Sequence, residues 1–288
     1  MKHGYEHIEK GENPGVTEDF FRRLQVPYDS SREEAWDMLE QRMGNVPVKR
    51  ISDFRKRLLI AGIAAMIILL AGIFSIIRFY TTTVICPRGT HLSHMLPDGS
   101  VVDLNADSEI SYRPYWWSFS RDIEFTGEGF FKVEKGRKFR VISEKATTEV
   151  LGTSFNIFSR ENEYKVTCFT GNVRVASCSS ASIVLATNQS ASVTNSGEII
   201  MSGESGINEN ISWINNMFSF RSRPLTVVLD EIGRQYDVKI TIKAAVDLLY
   251  TGYFTKNRPV EETLTLVCTP FGLTFARISE NHYEISRN

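Results

Sequence analysis

The longest apolar stretch of the chain is Leu58–Ile77, twenty residues without a charged side chain. As a helix it would rise ~1.5 Å per residue and span the ~30 Å hydrocarbon core of a bilayer. A cleaved signal peptide would have a shorter apolar region nearer the N-terminus, followed by a small-residue cleavage site. Residues 81–90 offer no such site. The pattern therefore predicts one transmembrane helix at 58–77.

Basic residues are distributed unequally around this apolar run. Arg78 stands alone after it, whereas five basic residues precede it: Lys49, Arg50, Arg55, Lys56 and Arg57. Because basic flanks are retained on the cytoplasmic side of a membrane, we expect the N-terminus in the cytoplasm and the rest of the chain outside it.

Residues 1–57 form a short polar head with two predicted helices. Thr17 could cap the first, Glu18–Val26, before Pro27 ends it. Ser31 could cap the second, and Glu34 three residues later completes the pattern of a capping box. The sequence thus predicts a small α-helical head.

The second head helix carries an apolar stripe, because Trp36, Leu39 and Met43 recur at helical spacing. Two helices of this size cannot bury a core of their own. The stripe, together with Phe20 and Leu24 of the first helix, therefore packs the helices on one another, rests on the membrane surface or binds a partner.

Residues 81–201 have the alternating pattern and frequent turn signals of an all-β domain, which favours a β-sandwich or rolled sheet. Gly127 predicts a turn between strands, and Gly171-Asn172 predicts a two-residue hairpin that places Cys168 opposite Val175. The predicted strands are Val101–Leu104, Asp122–Phe125, Phe130–Val133, Phe139–Ile142, Glu149–Phe158, Tyr164–Phe169 and Val173–Ala176.

Residues 211–288 follow a polar linker at 202–210 and predict a small α+β domain of order β-α-β-β-α-β-β. Helices should begin at Pro224 and Pro259. The last strand, His282–Ser286, could offer an edge to which a partner adds a strand. The predicted core face of the first helix consists of Leu225, Val228, Leu229, Ile232 and Tyr236.

The chain has 33 basic and 34 acidic residues and a net charge of −1, which gives no long-range field for nucleic acid. The spacing of its four cysteines matches neither a zinc site nor a disulfide-stapled mini-domain. Cys168 and Cys178 would lie on opposite faces of the predicted hairpin, so free or buried thiols are favoured over a disulfide.

Residues that could carry chemistry do not assemble into a catalytic, cofactor or metal site. His91 and His94 lie in an extended segment, where positions three apart diverge, so they are predicted to be surface or structural histidines. Gly127-Glu128-Gly129 lies between strands rather than opening a helix, so a turn is predicted in preference to a phosphate loop. An aromatic patch predicts a hydrophobic cap on an open sheet end in preference to a sugar or base platform: Tyr112, Tyr115, Trp116, Trp117 and Phe119.

Four ordered motifs resemble the successive blocks of the FecR periplasmic domain. They are LPDGSVVDLNADSEISY at 96–112, RDIEFTGEGFFKV at 121–133, VLGTSFNIF at 150–158 and TGNVRV at 170–175. Two further strings, WINNMFSFRSRPLTVVLDEIGRQYDVKI at 213–240 and YTGYF at 250–254, resemble the C-terminal domain that follows FecR domains in Bacteroidetes members. That domain is similar to the short N-terminal domains of secretins and TonB-dependent receptors.

The resemblance implies an anti-sigma factor and no enzyme activity. It implies a single-pass protein of the inner membrane with its C-terminal domains in the periplasm. An outer-membrane TonB-dependent receptor would signal to the periplasmic part, and the head would bind a sigma factor of the extracytoplasmic-function type. Phe20, Leu24, Trp36, Leu39 and Met43 are the candidate sigma-binding residues. The alternative is a membrane-anchored periplasmic scaffold, or envelope-binding module, whose head makes no sigma contact.

Overall fold

The computed structural model describes residues 31–43, 51–160, 163–179, 181–203, 207–243 and 247–287. The chain divides into two compact units whose boundary lies between Met66 and Ile67.

The first helix, α1, is Arg32–Met43. It begins with a reciprocal capping box: the Glu34 backbone N–H donates to Ser31 Oγ at 3.2 Å, and the Ser31 N–H donates to Glu34 Oε2 at 2.9 Å. Two backbone donors that the helix cannot satisfy internally are thereby satisfied. The predicted second head helix is confirmed, whereas the predicted first helix at 18–26 lies outside the described residues.

The second helix, α2, is Ile51–Phe79 and contains the whole predicted span at 58–77. Its 29 residues correspond to about 44 Å at ~1.5 Å per residue. Residues Asp53–Phe79 are long and apolar enough to cross a membrane, and the apolar side chains of this stretch are exposed.

Among the residues described after α2, the next thirteen strands form two seven-stranded sheets that share the long strand β5. One sheet has the order β1-β4-β5-β6-β7-β10-β11, and the other has the order β2-β3-β5-β8-β9-β12-β13. The strands are β1 (Thr82–Cys86), β2 (Leu92–Met95), β3 (Val101–Leu104), β4 (Ser108–Tyr112), β5 (Arg121–Lys132), β6 (Phe139–Ile142), β7 (Ala146–Val150), β8 (Ser154–Arg160), β9 (Glu163–Thr170), β10 (Asn172–Ser177), β11 (Ser182–Ala186), β12 (Ser190–Val193) and β13 (Ile199–Ser202).

Both sheets contribute to a single hydrophobic core. Ile123 and Val141 come from the first sheet, and Phe155 and Val166 from the second, and all four are fully buried. The alternation of buried and exposed positions along the strands produces this arrangement, since successive side chains point to opposite faces. The predicted sandwich is confirmed.

Three details of the predicted strands are wrong. Gly127 is not a turn: β5 runs without interruption through it, because a φ of +112° bends the strand from one sheet into the other. The single strand predicted at Glu149–Phe158 is two strands, β7 and β8, separated at Gly152. Gly171-Asn172 is a crossover between sheets rather than a hairpin, since β9 pairs with β8 and β12 while β10 pairs with β7 and β11.

The C-terminal domain has the predicted element order, with a 3₁₀ helix at Ile207–Asn215 ahead of it that begins inside the predicted linker. Strands β14 and β16 pair antiparallel, while β18 lies between β15 and β17. The elements are β14 (Met217–Pro224), α3 (Leu225–Tyr236), β15 (Lys239–Ile242), β16 (Leu249–Thr255), α4 (Val260–Cys268), β17 (Leu273–Ser279) and β18 (His282–Arg287).

The predicted edge at the last strand is wrong. β18 pairs in parallel with β15 and antiparallel with β17, so it occupies the centre of its three-stranded sheet. The period-two pattern of one strand does not reveal its neighbours, which depend on long-range pairing. Among the described strands, β17 and β15 are the edges of this sheet.

The four cysteines are free thiols. Cys86, Cys168 and Cys268 are buried, and Cys178 is exposed. Burial raises the pKa of Cys268 to about 11 and also raises the pKa of Cys168, so these thiols stay protonated and unreactive.

Candidate functional site

The apolar stripe of α1 is exposed where the structure describes it. Trp36 is 70% exposed and Leu39 is 50% exposed. Met43 is the last residue of the helix, and its side chain lies outside the described set, as do Phe20 and Leu24. Exposed aromatic and aliphatic side chains at helical spacing are the usual anchors of helix-in-groove recognition.

A second site lies where helix α3 packs on the β-sandwich. Its members are here called the polar junction: Asn105, Glu128 and Arg160 of the sandwich, and Glu231 and Gln235 of α3. The residues of α3 that face the core of its own domain are apolar, namely Leu225, Val228, Leu229 and Ile232. The polar residues of the junction therefore occupy a distinct strip of the helix beside this core face.

Glu128 is the buried acid of the polar junction. Its carboxylate accepts hydrogen bonds from Asn105 Nδ2 at 2.7 Å and from Asn156 Nδ2 at 3.1 Å. Burial raises its pKa to about 7, and the charge of Glu231 adds to the effect, whereas Arg160 and the two amide donors partly oppose it. Near neutral pH the Glu128 carboxyl is therefore divided between its charged and neutral forms.

Arg160 and Glu231 supply opposite charges to the same buried region. The Arg160 guanidinium donates to the backbone carbonyls of Asp107 at 2.7 Å and Ala106 at 2.5 Å. Burial alone would raise the pKa of Glu231, but the charges of Arg234 and Arg160 outweigh burial and hold it below its usual value. Glu231 is therefore the charged acid of the pair, and Glu128 is the one that titrates.

Gln235 is the hydrogen-bond hub between the two domains. Its Nε2 donates to Asn105 Oδ1 at 2.6 Å and to Glu231 Oε1 at 2.9 Å. Its Oε1 accepts from Lys256 Nζ at 3.1 Å and faces His91 Nε2 at 3.0 Å. Because Oε1 can only accept, His91 donates from Nε2, which fixes the tautomer of the ring.

Backbone contacts and an ion pair support the junction on either side of Gln235. The Gly89 N–H donates to the Arg234 carbonyl at 2.8 Å, and Lys256 Nζ donates to the Gly89 carbonyl at 3.2 Å. Farther along, Arg223 forms a bidentate pair with Glu163 at 2.8 and 3.2 Å. The two domains are thus joined by several directional hydrogen bonds and by an ion pair.

A cleft of about 430 Å³ opens beside the polar junction. The sandwich supplies one wall and the C-terminal domain the other, with residues that include Glu163, Lys165, Trp213, Arg223, Glu231 and Arg234. Lys165 Nζ donates to Asn210 Oδ1 across the cleft at 2.8 Å, and burial lowers the pKa of Lys165. Among the described residues, no group of three or more His, Cys, Asp or Glu side chains could hold a metal ion.

The predicted structural roles are partly confirmed at this site. His91 and His94 are structural, since His94 Nε2 lies 3.0 Å from Tyr112 Oη and His91 bonds to Gln235. Asn105 Oδ1 also accepts a hydrogen bond from the backbone N–H of Ala106 at 2.8 Å. The side-chain amide of Asn156 donates to Glu128.

Glu231 and Gln235 were not predicted as functional residues from the sequence. These residues are four apart on one strip of α3, adjacent to its apolar stripe, which is the signal that was present in the chain. A polar pair at that spacing is equally typical of a solvated helix surface. The two cases are distinguished only by the hydrogen bond from Gln235 to Asn105 and by the position of Glu231 near Glu128 and Arg160.

The aromatic segment after β4 splits into two groups. Tyr112 and Trp117 belong to the sandwich core, where Trp117 packs against Phe139 with ring centroids 5.9 Å apart. Tyr112 and Trp117 thus correspond to the predicted hydrophobic cap. Tyr115 and Phe119 are instead exposed, at 61% and 68%.

In the part of the chain that the structure describes, an apolar helix is followed by a β-sandwich and then by a small α+β domain docked on it. The family model described as FecR protein matches residues 82–174, and the model described as FecR, C-terminal matches residues 217–285. Together these matches span more than half of the chain, and the chain belongs to the FecR family. The resemblance noted from the sequence is thereby confirmed.

Two crystal structures of a candidate anti-sigma factor from Parabacteroides distasonis are similar to this chain. Both are 26% identical to it, with TM-scores of 0.67 and 0.66. They cover 73% and 72% of this chain, and 100% and 99% of their own chains. No curated protein matches the chain significantly.

Proposed function

We propose that this chain is a single-pass anti-sigma factor of the inner membrane that relays a periplasmic signal to a cytoplasmic sigma factor. Membership of the FecR family supports the proposal, as do the similar structures described as candidate anti-sigma factors. The observation that carries it is the element order: an exposed apolar stripe on α1, one helix able to cross a bilayer, and the two FecR domains beyond it.

The sigma-binding surface is the apolar stripe of α1. Trp36, Leu39 and Met43 would insert into a groove of an extracytoplasmic-function sigma factor, with Phe20 and Leu24 extending the contact. Burying a side chain of this size against a partner contributes ~1.5–3 kcal/mol, and a tryptophan near the centre of an interface commonly contributes more than its neighbours.

The test is a binding titration of the full chain in nanodiscs against the purified extracytoplasmic-function sigma factors of the host. Trp36→Ala should weaken the complex roughly tenfold or more, because ~1.4 kcal/mol corresponds to one decade in affinity. Met38→Ala is the matched control, since Met38 is 55% exposed on the opposite face of the same helix. Equal affinities for wild type and Trp36→Ala would show that the stripe is not the binding surface. Binding to no sigma factor would favour the envelope-scaffold alternative.

The C-terminal domain is proposed to receive the signal from the outer-membrane receptor. Strand β17 is an edge of its sheet among the described strands, and Ile278 on this strand is 54% exposed. An extended segment of the receptor's signalling domain could add to this edge through backbone hydrogen bonds. The polar junction would then pass the resulting displacement of the C-terminal domain to the sandwich.

The receiver role predicts that a charge on the β17 edge blocks signalling. Ile278→Lys should abolish the transcriptional response to inducer while leaving the membrane-bound protein at its normal level. Leu249→Lys is the control, because Leu249 is 60% exposed on the β14–β16 pair of the same domain. A normal response from Ile278→Lys would remove β17 as the receiving edge.

A further inference from the structure

Five aromatic residues surround the C-terminal end of α2 and are here called the aromatic collar: Phe79, Tyr80, Tyr115, Trp116 and Phe119. Trp116 and Phe119 stack with ring centroids 4.4 Å apart, and Tyr80 lies 5.3 Å from Tyr115. The collar therefore combines residues from the end of the helix with residues from the 3₁₀ turn that follows β4.

The collar is exposed although it is made of large aromatic rings. The exposed fractions are 68% for Phe79, 50% for Tyr80, 61% for Tyr115 and 68% for Phe119. A contiguous exposed aromatic patch on a folded domain marks a contact surface. Tyr112 and Trp117 of the same segment are buried, so the exposure is confined to one side of it.

The depth of the collar along α2 is set by two contacts. Trp116 meets Phe74 edge-to-face with centroids 6.0 Å apart, and the Arg78 guanidinium carbon lies 4.9 Å from the Trp116 ring centroid. Phe74 lies five residues before the end of the helix, which corresponds to about 7.5 Å. The Trp116 ring is therefore level with the end of the apolar run, where a spanning helix meets the headgroups.

Two guanidinium groups accompany the collar. The Arg78 guanidinium carbon lies 4.9 Å from the centroid of the Trp116 ring, which places one positive charge at the collar. Arg137 donates to the carbonyl of Ser118, which holds a second positive charge beside the collar. Aromatic rings mixed with basic side chains are the composition of a membrane–water interface.

We propose that the aromatic collar is a membrane anchor, which inserts into the headgroup region of the leaflet at the C-terminal end of α2 and holds the sandwich against the lipid. The proposal rests on α2 crossing the membrane, as in the proposed function. A bilayer is the occupant because the collar is continuous with the apolar surface of that helix. Helix and sandwich would then tilt together, so that movement of the sandwich reaches the head.

The experiment uses the full chain in nanodiscs of phosphatidylethanolamine and phosphatidylglycerol. An environment-sensitive NBD label is attached to Phe119→Cys in a Cys178→Ser background, and its quenching by headgroup-nitroxide lipids is compared with quenching by aqueous iodide. The control is the same label on native Cys178, the exposed one of the four cysteines. Position 119 is two residues before Arg121, which pairs with Phe139, and Phe139 pairs with Val150 at one end of β7. Cys178 follows Ser177, which pairs with Ala146 at the other end of β7. The two ends are separated by about four residues of β7, or ~13 Å.

Strong lipid quenching at position 119 and weak lipid quenching at Cys178 are expected. If iodide quenches the label at position 119 as strongly as the label at Cys178, and lipid does not, the collar lies in water and the proposal is wrong.

A second comparison separates an anchor from a domain that the helix merely tethers near the membrane. In the labelled protein, Tyr115→Ser together with Trp116→Ser should reduce lipid quenching at position 119 at least twofold, because the rings that hold the loop at the interface are removed. Unchanged quenching would show that the helix alone sets the position and would overturn the anchor.

Near-UV circular dichroism verifies that the core around Trp117 is retained in this variant. Alkaline carbonate extraction reports independently whether α2 is integral to the membrane. Failure of the proposed topology is thereby distinguished from failure of the collar.

Discussion

At the scale of single residues, the most consequential group is the Glu128 carboxyl. Its ordinary pKa of 4.5 is raised to about 7 because it is buried on β5 next to α3. The folded protein therefore holds a proton that the unfolded chain has already released across this interval. By linkage, the free energy of unfolding falls as the pH rises from about 4.5 through about 7. The stabilisation from the protonated Glu128 carboxyl is fully present below about pH 4.5. The cost of ionisation at higher pH is on the order of 3 kcal/mol.

Glu128→Gln should remove this pH dependence. Glutamine mimics the neutral acid, and Asn156 Oδ1, which accepts no hydrogen bond from any described residue, could accept its N–H after an amide flip. Thermal unfolding of a fragment comprising residues 81–288 should show a higher midpoint than wild type at pH 8 and a similar one at pH 5. Glu198→Gln, at an exposed carboxylate of the same domain, is the control. Parallel pH profiles for wild type and Glu128→Gln would contradict the assignment.

At the scale of elements, strand β5 connects the end of the sandwich next to the aromatic collar to the polar junction. Its first half pairs with β4 and β6, and its second half pairs with β3 and β8. The change of sheet occurs at Gly127, where a Cβ atom would lie 2.6 Å from the backbone Cα of Ser108. Glycine is required there both for the positive φ and for the close approach of β4.

Gly127→Ala should therefore destabilise the sandwich by more than the backbone conformation alone would predict. A residue with a side chain at such a φ costs ~1–3 kcal/mol, and the clash with Ser108 adds to it. Gly272→Ala is the matched control, since Gly272 has a φ of +62° but no atom within 4 Å of the added Cβ. Urea unfolding should show the larger loss for Gly127→Ala, and equal losses would show that β4 can move aside.

The extent to which elements could be predicted depended on how local their determinants are. Helix α3 follows from the spacing of Leu225, Val228 and Ile232, and the capping box of α1 from Ser31 and Glu34. The error at Gly171 has a different origin. A glycine-asparagine pair is as compatible with a crossover between sheets as with a hairpin. The crossover forms here because β9 pairs with β12 and β10 pairs with β7.

The candidate sites show the same limit. The stripe of α1 was visible because three apolar residues recur on a short helix. The polar junction was not, because Asn105, Glu128 and Gln235 are distant in sequence and each is ordinary in its own segment. Their role follows from burial and from distances of 2.6–2.7 Å, which only the folded chain defines.

At the scale of the whole molecule, one helix separates the head from the two FecR domains. Five basic residues precede its apolar run and one follows it, which favours a cytoplasmic head. A signal received by the C-terminal domain would then have to pass through the sandwich and along α2 to reach α1. The single covalent connection makes the orientation of the chain the central premise of the proposed function.

Reporter fusions test this orientation. Alkaline phosphatase fused after Asn288 should be active, because the enzyme folds correctly only in an oxidising compartment. The same enzyme fused after Gly44 should be inactive. A cytoplasmic reporter such as β-galactosidase should give the opposite pattern at the two sites. Activity of the phosphatase at Gly44 and not at Asn288 would invert the proposed topology.

The central position of β18 has a consequence for the order in which the protein is made. Strand β15 at 239–242 finds its parallel partner only at 282–287, and β17 needs the same strand. While the ribosome is still extending the chain, both strands have unpaired backbone groups on the sides that β18 will occupy, and such edges attract other strands. The C-terminal domain therefore completes its three-stranded sheet only after the whole sandwich has been synthesised. A chain that ends before residue 282 lacks β18, and both β15 and β17 then have no partner in this sheet.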